Sequence, residues 1–286
     1  MYPVSPANPW LRVPTNSPTM IVRIILALAL AVTASAQTIS TRTIDTGSGA
    51  TTGQHISHTT ISGYPAMSYV ETKVNPTSSE GRAKTILFAR NSATDGSGTW
   101  TTSRVDTGEY LPSNLQSTLL EIDGKPAIAF HRSDGLWLAK NSAADGSGSW
   151  GQTRITTRGA YGPLASAMVA GHPAIAFTES ETLYFARCLS TDGLGSWQVH
   201  EIDQTENVIV GSLSLAMIAG QPAVSYRADT GPVFMGDYYD FTHTQLRFAR
   251  SATADGTGTW AVTVAHETTY VDEDTYLQNS LAVIDG

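Results

Sequence analysis

Short apolar runs alternate with small polar turns along most of this chain, and the runs have the length of strands rather than helices. Over 117–157 there are four: STLLEID (117–123), PAIAFH (126–131), LWLAKN (136–141) and TRITT (153–157). Alternation of large apolar with small or polar side chains at period two predicts strands with one face buried. Asp123-Gly124-Lys125 separates the first two runs, as a tight hairpin requires. Pro126 then opens the second run, where the missing N–H costs no ladder bond. A ten-residue stretch of small polar residues, NSAADGSGSW (141–150), separates the last two.

The same plan occurs four times. The polar stretch recurs as NSATDGSGTW (91–100), CLSTDGLGSW (188–197) and SATADGTGTW (251–260). GYPAMSY (63–69), GKPAIAF (124–130), GHPAIAF (171–177) and GQPAVSY (220–226) travel with it, as do ILFAR (86–90), LWLAK (136–140), LYFAR (183–187) and LRFAR (246–250). Trp100, Trp150, Trp197 and Trp260 close the polar stretches at intervals of 50, 47 and 63 residues. The long interval contains an insert between Tyr226 and Leu246. A period near 50 without helical segments predicts an all-β chain, a β-propeller of four-stranded blades. NSLAVIDG (279–286) matches a first strand, and STRTIDTG (40–47) matches the outer strand TSRVDTG (102–108). The expectation is an incomplete ring of four full blades and two half-units, with its edges completed by sequence beyond the C-terminus.

Composition refines this picture. The 286 residues are 41% apolar and 15% charged, enough for one large core. Residues 20–36 read as a secretory signal: Arg23, an apolar run, then Ala34-Ser35-Ala36 with cleavage before Gln37. The apolar run is too short to span a bilayer. Residues 1–19 are an unstructured lead or a mis-called start, leaving 37–286 for the repeats. Arg12 and Arg23 are the only charges before residue 37, so 15 of the 17 basic residues remain against 25 acidic ones. A chain this acidic is a poor partner for nucleic acid or anionic lipid. Cys188 is the sole cysteine, so no internal disulfide forms. It holds the repeat position of Asn91, Asn141 and Ser251, and reads as a structural thiol.

Within each polar stretch the aspartate can accept backbone N–H bonds of the turn. The glycines permit backbone angles closed to other residues, and the tryptophan can cover the hairpin. Here the chain resembles the Asp-box propellers, the group that includes sialidases, whose box reads Ser-x-Asp-x-Gly-x-Thr-Trp. The spacing from aspartate to Thr/Ser-Trp matches at Asp95, Asp145, Asp192 and Asp255. The glycines lie one and three residues after the aspartate instead of two. The resemblance covers about 38–286. It implies that the boxes join strands three and four of each blade, away from the active site, and that Asp95, Trp100, Asp145, Trp150, Asp192, Trp197, Asp255 and Trp260 are structural. Sialidases also use an arginine trio, a tyrosine–glutamate pair and an acidic aspartate. Their Arg-Ile-Pro motif is absent, and no catalytic residue carries over by position.

With the boxes on one face, the loops between strands two and three share the other. They are VETKVNPTSSEGRAKT (70–85), HRSDG (131–135), TESET (178–182) and RADTGPVFMGDYYDFTHTQ (227–245). Unequal loops on a rigid scaffold are a common setting for binding sites. The last contains Asp229, Asp237, Tyr238, Tyr239, Asp240 and His243, a set suited to stacking on sugar rings and bonding hydroxyls. Arg132, Arg158 and Arg227 come from successive blades and could surround an anionic group. Arg90, Lys140, Arg187 and Arg250 recur in every copy and read as strand residues without a special role. His55, His58, His131, His172, His200, His243 and His266 show no metal-ligand spacing, and no cofactor motif is present.

These features favour a secreted or surface-exposed propeller that binds an extracellular glycan or polymer without catalysis. The first alternative is a sialidase-like glycoside hydrolase, with Asp240 and either Glu179 or Asp229 as paired carboxylates. The second is a purely structural cell-surface repeat.

Overall fold

The computed structural model describes residues 43–45, 50–74, 82–106, 111–112, 115–158, 162–179, 181–204, 208–235, 238–268 and 279–282. At 50, 51, 82, 208–211, 229–235 and 238–243 only the backbone is described. The lead 1–19 and the signal segment 20–36 lie outside these residues. The described chain belongs almost wholly to one compact unit, Ile44–Gly286.

All regular structure among the described residues is antiparallel sheet. Four sheets follow one another, each a four-stranded meander. The first is β1 (Ala50–Ile61), β2 (Tyr64–Val74), β3 (Arg82–Asn91) and β4 (Trp100–Asp106); the second is β5 (Ser117–Ile122), β6 (Lys125–Arg132), β7 (Gly135–Asn141) and β8 (Trp150–Thr156). The third is β9 (Leu164–Val169), β10 (His172–Glu179), β11 (Thr182–Cys188) and β12 (Trp197–Gln204); the fourth is β13 (Val208–Ile218), β14 (Gln221–Met235), β15 (Tyr238–Ser251) and β16 (Trp260–Thr268). The first strands lie side by side, β1 against β5, β5 against β9 and β9 against β13, whereas β13 and β1 share no interface of that extent. Four blades of a propeller radiate from these inner strands, and β4, β8, β12 and β16 are outermost.

The core lies between blades, not within them. Ile86 and Phe88 of the first pack with Ile128 and Phe130 of the second. Leu136 and Leu138 of the second pack with Ile175 and Phe177 of the third. Phe185 of the third packs with Val224 and Tyr226 of the fourth. A single meander cannot bury both faces of its sheet, so stacking of neighbours supplies the hydrophobic term. The turn after each first strand is the tight one expected. Asp123 and Gly124 both have positive φ, 52° and 70°, the backbone a twisted two-residue hairpin needs.

The polar stretches join the third and fourth strands, and two solutions close them. In the first two, an asparagine at position one is the staple. Asn141 Oδ1 accepts Ala143 N at 2.9 Å, and its Nδ2 donates to the carbonyls of Gly146 and Gly148 at 3.2 and 3.1 Å. Asn91 bonds in the same way. In the last two, position one is Cys188 or Ser251 and a hydroxyl at position three takes over. Gly195 N donates to Ser190 Oγ at 2.7 Å, and Gly258 N to Thr253 Oγ1 at 2.8 Å. Cys188 is buried, its thiol 3.4 Å from Ser190 Oγ. The aspartate accepts turn donors in every copy, for example Ser147 N and Oγ at 3.0 and 2.7 Å onto Asp145. These bonds favour the carboxylate form. The Ser147 hydroxyl and then its N–H lower the pKa of Asp145, and the Ser190 hydroxyl and Leu194 N–H that of Asp192. Asp255, held first by the Thr253 hydroxyl, falls to about 2.

Two expectations change. The segments 70–85 and 227–245 are not loops: β2 and β3 pair out to Val74 and Arg82, and β14 and β15 to Met235 and Tyr238. The aromatic and β-branched residues either side of Gly236-Asp237 extend the ladder, so blade four is a long hairpin with only a short connection. Trp150 also does more than cover its own turn. Its ring reaches Phe88 of the preceding blade, because the turn of one blade sits against the third strand of its neighbour.

Candidate functional site

On the face opposite the polar turns, each seam between blades carries a polar clamp. Asp106, at the end of β4, takes Arg132 of β6, whose Nε lies 3.0 Å away; the guanidinium also reaches Gln152 at 2.7 Å and lies 4.7 Å above the Trp137 ring. Arg158, just beyond β8, pairs with Glu179 of β10 at 2.9 Å and donates to the Tyr184 hydroxyl at 3.1 Å. Asp203 of β12 accepts the Tyr226 hydroxyl at 2.5 Å and Arg247 Nη1 at 2.7 Å. Burial, then the Asp203 bond, raises the Tyr226 pKa. Ahead of blade one, Asp45 accepts the Tyr69 hydroxyl at 3.0 Å, and burial with that bond raises the Tyr69 pKa.

The four clamps occupy matching places. Strand register puts Leu87 opposite Tyr69 and Arg104, Trp137 opposite Phe130 and Arg154, Tyr184 opposite Phe177 and Glu201, and Arg247 opposite Tyr226 and Val264. Two residues further along the second strand stand Glu71, Arg132, Glu179 and Ala228. In blades two to four a Trp, Tyr or Arg fills the third-strand place. In blade one the place is held by the smaller Leu87, which lines a cavity of about 300 Å³ with Asp45, Glu71, Lys73, Thr102, Ser103 and Arg104. That volume is at the lower end for a small-molecule site. Glu71 is 5% exposed and pairs with Lys73 at 3.0 Å. Two carboxylates, two cations and two hydroxyls thus border one concavity.

The residues singled out from sequence are distributed differently. Arg158 and Glu179 come together with Tyr184. Arg132 is engaged by Asp106 one seam away, so Arg132 and Arg158 hold separate carboxylates and do not converge. Arg227 lies on β14 opposite Leu246. Asp229 pairs with Thr244 in register and Asp240 with Val233. Their backbones are four register positions apart, about 13 Å along the hairpin. Tyr238, Tyr239 and His243 lie on β15 opposite Met235, Phe234 and Thr230. The side chains of Asp229, Tyr238, Tyr239, Asp240 and His243, and Asp237 altogether, lie outside the described residues.

Sequence reasoning passed over Asp45 and Glu71, and it gave Arg90, Lys140 and Arg187 of the third strands no special role. Lys140 Nζ reaches the Asp192 carbonyl of the next blade's turn at 2.9 Å, Arg187 Nε donates to Val169 O at 3.2 Å, and Arg90 lies 3.9 Å above the Tyr64 ring. They are staples, contrary to the expectation of no special role. Leu87 was visible as the small member of the set Leu87, Trp137, Tyr184, Arg247, but the aligned position gains meaning only once register shows what faces it. Among the described residues no helix is long and apolar enough to cross a membrane.

No protein-family model and no curated protein matches the chain. Solved structures do. An α-L-arabinofuranosidase of Fusarium graminearum aligns with a TM-score of 0.50 at 14% identity, covering 74% of this chain and 66% of that one. A sialidase of Streptococcus pneumoniae aligns with a TM-score of 0.52 at 10% identity, covering 82% of this chain and 55% of that one. A second structure of that sialidase gives 0.54 at 11% identity, covering 83% and 56%. This chain therefore spans between just over half and two thirds of the structures it resembles, and the likeness is one of fold. It corrects the expectation of a non-catalytic binding module: these solved propellers are glycoside hydrolases.

Proposed function

We propose that the chain is a glycoside hydrolase of sialidase-like architecture, exported through the signal at 20–36 and acting on a glycan outside the cytoplasm. The observation that carries this reading is the cavity of blade one, which Asp45 and Glu71 border beside Leu87, at the register place where the other blades carry Trp137, Tyr184 and Arg247. Glycosidic bonds are cleaved by a pair of carboxyl groups, one protonating the leaving oxygen and the other acting at the anomeric centre, directly or through water. Tyr69, bonded to Asp45, fixes one carboxylate. Lys73 and Arg104 offer donors to sugar oxygens. The degenerate Asp-box turns, on the opposite face, have a structural role in this reading.

The test is release of the chromophore from aryl glycosides, including an α-L-arabinofuranoside and a sialoside, by the chain and by its Glu71→Gln and Asp45→Asn variants. Each variant is expected to lose on the order of 10²–10⁴ in kcat. Release that survives both substitutions, or none from any glycoside, overturns the proposal.

A further inference from the structure

At the far edge of blade four, residues 279–282 repeat the bonds by which blade two sits on blade one. Leu119 N donates to Ser57 Oγ at 2.9 Å. Ser57 stands six residues before the turn glycine Gly63, and Leu119 five before Gly124. Ser214 stands six before Gly220 and Leu281 five before Gly286, and Leu281 N donates to Ser214 Oγ at 2.9 Å. Donor, acceptor and distance are the same. Asn279 adds to this hold. It accepts Ser225 Oγ at 2.7 Å, and its Nδ2 donates to the Ser212 carbonyl at 3.1 Å. At the matching places between blades one and two, Ser68 and Ser117 have hydroxyls without a partner, because Ser117 is shorter than Asn279.

The other end of the arc shows the complementary half. Asp45 accepts Tyr69 as Asp203 accepts Tyr226, and Ile44 packs with Met67, Leu87 and Trp100. Asp203 lies on an outermost strand, so Ile44 and Asp45 hold the outermost place of a blade ahead of the first.

We propose that 279–282 belong to the innermost place of a fifth blade and Ile44–Asp45 to its outermost place. A β-hairpin of the same polypeptide, carrying the repeat's Pro-Ala and Phe-Ala-Arg strands, takes the two places between. The established inter-blade interface continues on both sides of that gap, which specifies an occupant with one apolar face toward each neighbour. Asp285-Gly286 repeats the Asp123-Gly124 pair that turns straight into β6. The inference rests on strand pairing and stands apart from the hydrolase reading.

Two measurements test it. Hydrogen exchange in the 286-residue chain should find the Leu281 amide protected, and Ser214→Ala should speed its exchange about tenfold while leaving Leu119 unchanged. Extension at Gly286 with a copy of residues 125–141 should raise Tm by about 5 °C or more over a scrambled extension, in a monomer. Coil-like exchange at Leu281, equal melting of the two extended chains, or a rise seen only in a dimer overturns the proposal.

Discussion

The Trp150 indole meets the Phe88 ring edge-on, centroids 5.6 Å apart and planes at 67°, across the seam between blades one and two. Trp260 and Phe185 repeat the contact between blades three and four at 5.2 Å. Gly146, four residues before Trp150, lets the turn lie on the same ring: a Cβ there would sit 2.4 Å from Phe88 Cε1, and its φ is 79°. Trp150→Ala therefore opens a seam instead of trimming a surface. The half-buried indole sets the expected loss at about 3 kcal/mol in chemical denaturation. Gly146→Ala should cost at least as much through clash and backbone strain. A change under about 0.5 kcal/mol in both would refute the seam role.

The two ways of closing the polar turns predict a rescue. Asn141 with Ala143 and Ser251 with Thr253 are alternative pairs at the same positions: Thr253 Oγ1 accepts the second glycine's N–H, as Asn91 Oδ1 does in blade one. Asn141→Ser alone removes the amide N–H bonds to the Gly146 and Gly148 carbonyls at a buried site, a loss of about 2 kcal/mol. Adding Ala143→Thr should restore more than half of it, leaving a coupling of about 1 kcal/mol in the double-mutant cycle. Strict additivity would show that the two turn types are not interchangeable.

These pairs also show what the sequence carries and what it hides. The alternation within 117–141, the Asp-Gly turns and the fourfold polar stretch are local and were sufficient for strands, hairpins and blade order. The exchange of Asn141 for Ser190 or Thr253 was equally visible, but its meaning depends on which backbone N–H each oxygen reaches. Contacts across seams, such as Asp106 with Arg132 or Lys140 with the Asp192 carbonyl, join residues 26 and 52 apart and leave no local pattern. Pro232 and the acidic residues give the hairpin 227–245 the composition of a loop. The better signal was the strand-favouring residues on either side, Val233-Phe234 and Tyr238-Tyr239.

His131 makes stability depend on pH. It is fully buried, its Nε2 lies 2.9 Å from the Gly162 carbonyl, and its Nδ1 has no partner. Burial lowers its pKa to about 4, against a smaller opposing effect of the Gly162 bond. The unfolded chain therefore takes up a proton near pH 6.5 that the folded chain refuses until about 4. Stability from this residue is fully present above pH 6.5 and is lost as pH falls toward 4, by on the order of 3 kcal/mol. His131→Val, which copies Val70 at the matching place in blade one, should flatten the curve in that window. An unchanged slope between pH 6.5 and 4 in the variant would assign the dependence elsewhere.

Leu87 links the repeat to the proposed chemistry. Where it stands in blade one, blade two has Trp137, which packs beneath Arg132 and donates its indole N–H to Asp134 at 2.9 Å. Leu87→Trp places into the first seam a side chain that the second already accommodates, so the fold should tolerate it, with stability within about 1 kcal/mol of the parent. The added ring projects among Asp45, Glu71 and Arg104 and takes space from a cavity of about 300 Å³. Glycoside hydrolysis should fall at least about a hundredfold, a loss of about 2.7 kcal/mol in transition-state stabilisation. A folded Leu87→Trp protein with unaltered turnover would place the active site elsewhere on the propeller, because a substrate bound in this cavity cannot share it with an indole.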